Sequence, residues 1–124
     1  MSNPVPVAAR AAAARLAAEH GPGVIAEVDA VLHAQRRAER PGQFVDPLSL
    51  GSFIVAVATL AWTIYADLRK RTPEPRPEEV ERQVIVELHE QGDAGREDAN
   101  RIAAIAVAET IRAARADGQG FESP

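Results

Sequence analysis

Few residues of this protein have the type and spacing that catalysis or metal binding requires. Its only imidazoles are His20, His33 and His89, and no two of them are spaced as metal ligands on one helical face. Asp29 and His33 stand four residues apart, where we expect a surface hydrogen bond rather than a pair of metal ligands. His89-Glu90 lacks the second histidine of the zinc-protease pattern. The absence of cysteine excludes thiolate metal sites and disulfides.

The hydroxyl side chains do not suggest a nucleophile either. The chain contains four serines, Ser2, Ser49, Ser52 and Ser123. None of them lies in a nucleophile elbow or near a histidine in sequence. The segment 21–23 is rich in glycine, but it follows a helix and has no lysine, unlike a phosphate-binding loop. The sequence therefore predicts no enzyme, no cofactor, no metal and no small-molecule substrate.

Charge is distributed unevenly along the chain. The net charge is −4. Residues 1–46 carry equal numbers of basic and acidic side chains, whereas residues 67–124 carry nine basic and thirteen acidic ones. Nucleic-acid binding depends on the neutralisation of phosphates by basic side chains. This acidic C-terminal region therefore predicts that nucleic acid is not a partner.

The longest uncharged stretch runs from Pro47 to Ala66 and comprises twenty residues. As a helix it would extend about 30 Å, which is the thickness of the hydrocarbon core of a bilayer. Aromatic rings favour the headgroup level, and a basic cluster commonly follows a membrane span. The sequence thus predicts a single transmembrane helix that begins at Asp46-Pro47. The residues predicted to lie at the membrane interface are Trp62, Tyr65, Arg69, Lys70 and Arg71.

The basic residues beside this helix also predict its orientation. Residues 37–46 contain two arginines, and residues 67–76 contain four basic side chains. By the positive-inside rule, the more basic flank faces the cytoplasm. Residues 67–124 are therefore predicted to be cytoplasmic.

Two stripes follow the uncharged helix at intervals of three and four residues. Small side chains form the first stripe, which consists of Ser52, Ala56, Thr59, Thr63 and Ala66. Bulky side chains form the neighbouring stripe, which consists of Phe53, Val57, Leu60 and Ile64. In a bilayer, small residues let helix backbones approach each other, so the first stripe predicts packing against a partner helix or a second copy. The bulky stripe is suited to lipid.

An N-terminal helical pair is predicted over residues 1–45. Asn3-Pro4 is a helix start, and alanine dominates residues 8–18 until glycine and proline end the helix at 20–23. Because alanine buries little area, we expect this helix to be marginal and to face solvent. A second helix is predicted from Val24 to about Glu39. Its apolar stripe consists of Val24, Ile25, Val28, Val31 and Leu32.

Residues 46–71 comprise the apolar helix and its basic C-terminal flank. A proline-rich linker at 72–77 and an acidic helical head at 78–117 are predicted to follow. Pro77 opens a helix in which Val80, Val84 and Leu88 share a face, although 83–89 also alternates enough to permit a short strand. A turn at 92–95 precedes a last helix over 96–116. Residues 118–124 are expected to form a loose tail. The predicted fold class is all-α.

Part of the chain resembles a group of small uncharacterised actinobacterial proteins. The resemblance rests on the segments 60–65 (LAWTIY), 67–70 (DLRK), 72–75 (TPEP) and 80–84 (VERQV), about a third of the chain. In those proteins an apolar segment ends in a similar Trp/Tyr pair, followed by a basic cluster and a proline-spaced linker. The resemblance implies a bacterial, membrane-associated accessory protein, and it assigns no functional residue. The predicted location of the chain is the bacterial inner membrane.

Three functions are compatible with this sequence. The favoured one is a membrane-anchored adaptor or accessory subunit that acts through helix–helix contacts. The second is a soluble helical interaction or assembly module in which residues 47–66 form the buried core helix. The third is a small membrane-permeabilising protein of the holin or toxin type. The predicted partners are accordingly a protein or a second copy, together with a lipid bilayer.

Overall fold

Five α-helices make up the fold in a computed structural model that describes residues 3–36, 49–90 and 98–122. The helices are α1 (Val5–His20), α2 (Gly23–Arg36), α3 (Leu50–Arg69), α4 (Pro77–Glu90) and α5 (Ala99–Glu122). The predicted all-α class is confirmed, and the described residues contain no strand. Residues 83–89, where a strand was the alternative, lie within α4.

Both ends of α1 are determined by local interactions. The Oδ1 atom of Asn3 accepts a hydrogen bond of 3.0 Å from the backbone N–H of Val5, which satisfies one free donor of the first turn. At the other end Gly21 has φ of 87°, and its N–H donates to the carbonyl of Ala17. Glycine adopts this left-handed conformation without steric penalty, so the helix stops there. Helix α2 begins two residues later, which makes α1 and α2 a helical hairpin.

The prediction that α1 faces solvent is wrong. Its fully buried residues are Ala8, Ala9, Ala12, Ala13 and Leu16. The small alanine side chains allow neighbouring backbones to approach α1 closely, and the helix contacts α2, α3 and α5. Burial of α1 therefore depends on close helix packing rather than on the size of its own side chains.

Helix α2 follows its predicted stripe. Four of the five predicted apolar residues are buried, namely Val24, Val28, Val31 and Leu32. Ile25 lies at the edge of the stripe and is 36% exposed. The predicted continuation of α2 to Glu39 and the predicted start of α3 at 46–47 lie outside the described residues.

Helix α3 is the central element, because it contacts all four other helices. It begins at Leu50, where the Oγ atom of Ser49 accepts a hydrogen bond of 3.0 Å from the N–H of Ser52. A second partner comes from α2, since the carboxylate of Glu27 accepts a hydrogen bond of 2.9 Å from the N–H of Gly51. The negative charge of this carboxylate also interacts favourably with the positive end of the α3 dipole.

The proline-rich segment between α3 and α4 packs onto α5. Residues 70–76 are not helical. Pro75 is buried, and its carbonyl accepts a long hydrogen bond of 3.5 Å from the guanidinium of Arg115. Helix α4 then buries Val80, Val84 and Leu88, which is the predicted face.

Helix α5 joins the predicted head to the predicted N-terminal pair. It contacts α1, α3 and α4. Ion pairs link Arg15 to Glu109 and Glu19 to Arg101, so α1 and α5 run antiparallel. The backbone of α5 is helical to Glu122, beyond the predicted end at 116, because glycine in a helix costs only about 1 kcal/mol relative to alanine. The predicted start at 96 and the turn at 92–95 lie outside the described residues.

Candidate interaction surface

Helix α3 has a packed face and an outward face. Its buried residues are Gly51, Phe53, Ile54, Val55, Val57, Ala58, Ala61 and Tyr65. The bulky stripe, which the sequence assigns to lipid, lies on this packed side. Phe53 and Val57 are buried, and Leu60 and Ile64 are partly buried against the same core. In this fold the large apolar side chains of α3 therefore pack on the other helices of the chain.

The small-residue stripe forms the outward face of α3. Ala56, Thr59 and Thr63 are exposed, and Ser52 and Ala66 are half-buried. These five residues carry no charge, although they follow the helix for about four turns. We call them the α3 face. Exposed helix faces in water usually carry charged side chains, so an uncharged one is a candidate for contact with another molecule.

The threonines make this face more apolar than their residue type suggests. The hydroxyl of Thr59 donates a hydrogen bond of 2.9 Å to the carbonyl of Val55, and the hydroxyl of Thr63 donates one of 3.0 Å to the carbonyl of Thr59. Each hydroxyl donor is thus satisfied within α3 itself. The polar atoms of the two threonines do not require a partner molecule.

A groove borders the α3 face on one side. It has a volume of about 320 Å³ and lies where the start of α1 and the end of α2 meet α3. The lining residues are Asn3, Val5, Pro6, Arg10, Leu32, Gln35 and Thr59. Thr59 therefore belongs both to the α3 face and to the groove, which gives the face a concave edge.

The residues predicted to lie at a membrane interface occupy the C-terminal end of α3. The rings of Trp62 and Tyr65 stack with their centroids 6.3 Å apart, and the guanidinium of Arg69 lies 5.9 Å from the centre of the Tyr65 ring. Tyr65 is buried in the core, whereas Trp62 is half-buried. Arg71 pairs with Asp67 at 3.2 Å, and Lys70 is exposed. The aromatic and basic residues thus form contacts within the chain.

Among the described helices, α3 is the one that is long and apolar enough to cross a membrane. In its most apolar window, 44% of the residues are buried inside the molecule. The core helix of a soluble protein also satisfies this criterion of length and composition. Length and apolarity alone therefore do not distinguish the two environments.

One of the histidines and two of the acids form contacts between elements of the fold. His20 lies 3.5 Å from Asp98, at the junction of α1 and α5. The sequence suggested a hydrogen bond between Asp29 and His33. In the structure Asp29 instead pairs with Arg10 of α1 at 2.7 Å, because α1 lies alongside α2. His33 and His89 are exposed. No cluster of three or more side chains in the described residues could hold a metal ion.

The polar contacts between helices were not predicted from the sequence, and two of them involve carboxylates with structural roles. Arg15 donates a hydrogen bond of 3.0 Å to Glu109, a carboxylate whose side chain is only 7% exposed. Glu27 bonds the start of α3, as described above. Helical periodicity could have shown that Glu109 falls near the apolar face of α5, but not which cation would meet it.

Comparison of the chain with protein-family models, curated proteins and solved structures gives no match.

Proposed function

We propose that this protein is a non-enzymatic helical interaction module, with α3 as its core helix and the α3 face as its docking surface. The observation that carries the proposal is the division of α3 into a packed face of large apolar side chains and an exposed face of small uncharged ones. That division is typical of a helix that belongs to a bundle in water. If α3 crossed a membrane, its bulky stripe would instead contact lipid.

The chemistry of the α3 face indicates the kind of partner. Alanine and threonine side chains are short, so the backbone of a second helix can approach closely. With no charge to neutralise and with both threonine hydroxyls bonded internally, the face is complementary to an apolar helix. The occupant is then an apolar helix of another protein or the α3 face of a second copy.

Two neighbouring substitutions test whether α3 is a core helix. Ala56 is exposed and Val57 is fully buried. We expect Ala56→Glu to remain folded and soluble, with a free energy of unfolding within about 0.5 kcal/mol of wild type, as for most surface substitutions. Val57→Glu buries an unpaired charge and should lower that free energy by more than about 3 kcal/mol. Urea denaturation followed by circular dichroism measures both values.

The same pair gives a different result for a membrane span. Positions 56 and 57 both lie at mid-helix, where a charge costs about 2.5–3.5 kcal/mol of insertion free energy. Both variants would then be impaired to a similar degree. A similar loss in Ala56→Glu and Val57→Glu would contradict the core-helix proposal.

A single cysteine can identify the occupant of the α3 face, because the natural chain has none. Thr59→Cys places a thiol on the face, and Ala14→Cys places one at an exposed position of α1. Disulfide-linked dimers form under mild oxidation only where two thiols can approach. Dimers of Thr59→Cys alone would identify a second copy. Absence of dimers in both variants would leave a different protein as the occupant.

We propose as the second candidate a single-pass adaptor of the inner membrane, with residues 67–124 in the cytoplasm. It is supported by the length and apolarity of α3 and by the aromatic and basic residues at its C-terminal end. Alkaline carbonate extraction of bacterial membranes should then leave the protein in the pellet. Recovery in the supernatant without detergent would contradict this candidate. External labelling of Ser123→Cys would contradict the orientation.

The third candidate is a membrane-permeabilising protein, and the same apolar helix is its support. Its activity would release a dye from lipid vesicles, and a folded bundle would not. The contacts of α4 and α5 with α3 have no role in such an activity, so this candidate accounts for less of the molecule.

A further inference from the structure

A second groove lies between the start of α4 and the C-terminal half of α5. Its volume is about 400 Å³. The lining residues are Pro77, Ala108, Ile111, Arg112, Arg115 and Ala116. Ile111 is 2% exposed and contributes to an apolar floor, whereas both arginines are exposed. None of these residues belongs to the α3 face.

The charges around this groove have no ionic partners within the described part of the chain. Among the described residues Arg112 has no ion-pair partner, and the contact of Arg115 is a long hydrogen bond to the carbonyl of Pro75. Glu78 and Glu79 follow Pro77 in the first turn of α4, are exposed, and form no ion pair with any described residue. By contrast, three arginines elsewhere in the bundle pair with acids of a neighbouring helix.

The arrangement of these charges restricts what can occupy the groove. The α5 side of the groove carries the two positive charges of Arg112 and Arg115. On the α4 side Pro77 lines the groove, and its neighbours in the sequence, Arg76, Glu78 and Glu79, are charged and exposed. A phosphate or a purely acidic peptide would be attracted by one wall and repelled by the other. The complementary surface has acids opposite the arginines, bases opposite the glutamates and an apolar centre.

A second copy of this chain has that surface. We propose that two copies associate through this groove about a two-fold axis, which places Glu78 and Glu79 of each copy against Arg112 and Arg115 of the other. An isologous contact requires a self-complementary patch, in which each residue meets its counterpart reciprocally. Here the two halves of the patch lie on adjacent antiparallel helices, so α4 of one copy packs on α5 of the other. The apolar floor is covered, and all four charges gain partners.

Charge exchange tests this dimer. In one variant Arg112 and Arg115 are both replaced by Glu, and in the other Glu78 and Glu79 are both replaced by Arg. We expect wild type to be dimeric in sedimentation equilibrium and each variant to have a Kd at least about 10-fold higher, because every interfacial pair becomes repulsive. An equimolar mixture of the two variants should restore association to within about 3-fold of wild type, because every pair across the mixed dimer again joins opposite charges, one set with its original signs and the other with its signs exchanged.

Two controls separate this dimer from other associations. Arg69→Glu with Lys70→Glu makes the same change of net charge as the double arginine variant, at exposed sites outside the groove and outside α4, and it should leave the Kd unchanged. Ala56→Glu alters the α3 face and should also leave it unchanged, so failure of the proposed docking surface would not affect this test. Circular dichroism verifies that each variant is folded. A monomeric wild type, or a mixture that does not re-associate, would overturn the inference.

Discussion

At the scale of single residues, two of the ion pairs that α1 forms with neighbouring helices differ in exposure. Asp29, the partner of Arg10, is 52% exposed, whereas Glu109, the partner of Arg15, is 7% exposed. Removal of Arg15 leaves a buried carboxylate without its cation. We expect Arg15→Ala to lower the free energy of unfolding by about 1–3 kcal/mol. Arg10→Ala, at an exposed pair, should lower it by less than about 1 kcal/mol.

Urea denaturation of Arg15→Ala and Arg10→Ala at one pH and ionic strength measures both losses of unfolding free energy. Replacing Glu109 by Gln in the Arg15→Ala background removes the isolated charge and should recover part of the lost stability. Equal destabilisation by Arg15→Ala and Arg10→Ala would mean that the burial of Glu109 has no energetic consequence.

Gly51 lies where the backbone of α3 packs closely against α2. A Cβ atom at this position would lie 2.5 Å from the Cβ of Glu27 and 2.9 Å from the backbone N of Val28. Backbone atoms cannot move aside as a flexible side chain can, so Gly51→Ala should force the helices apart and cost about 1–3 kcal/mol. Gly23→Ala meets no atom within 4 Å and should be neutral or slightly stabilising. Thermal or urea unfolding of the pair tests the contact.

These residues explain why the sequence could not predict the polar contacts of the fold. Arg15 and Glu109 are 94 positions apart, and Glu27 and Gly51 are 24 apart. Local signals do identify Asn3, whose Oδ1 accepts a hydrogen bond from the first turn, and the helix end at Gly21, because those interactions involve neighbours in sequence. Contacts between helices depend on which helices meet, and no local pattern specifies that.

At the scale of secondary-structure elements, α1 depends on the small size of its buried residues. Ala12 is fully buried and Ala14 is exposed on the same helix. Ala12→Leu inserts three carbon atoms between closely packed helices, and we expect it to lower the free energy of unfolding by about 1–3 kcal/mol. Ala14→Leu makes the same chemical change towards solvent and should alter that free energy by less than about 0.5 kcal/mol. Equal effects of the two substitutions would argue against a buried α1.

The buried face of a helix was predicted correctly where its apolar side chains are large. In α2 and α4, large aliphatic residues recur at three and four, and their stripes were predicted correctly. In α1 the buried residues are mainly alanines, which occur equally on exposed faces, so its packed side could not be recognised. In α3 both sides are uncharged, and the sequence does not show whether the bulky stripe meets lipid or other helices.

At the scale of the whole molecule, α5 connects regions that the sequence assigns to a separate head and an N-terminal pair. It contacts α1, α3 and α4. We therefore expect the chain to unfold as one cooperative unit. The fluorescence of Trp62, which reports on α3, and the far-ultraviolet circular dichroism, which reports on all helices, should have the same urea midpoint. Two separate midpoints would indicate that α4 and α5 form an independently stable head.

The internal hydrogen bonds of Thr59 and Thr63 affect how the α3 face responds to solvent conditions. Because their hydroxyl donors are already bonded to the helix backbone, covering this face removes mainly apolar surface from water. Such an association has a negative heat-capacity change, weakens on cooling and is strengthened by sulfate. The α4–α5 groove contains exposed charges, whose attraction is screened as ionic strength rises. Sodium sulfate should therefore affect the two surfaces in opposite directions, so one titration can distinguish which of them joins two molecules.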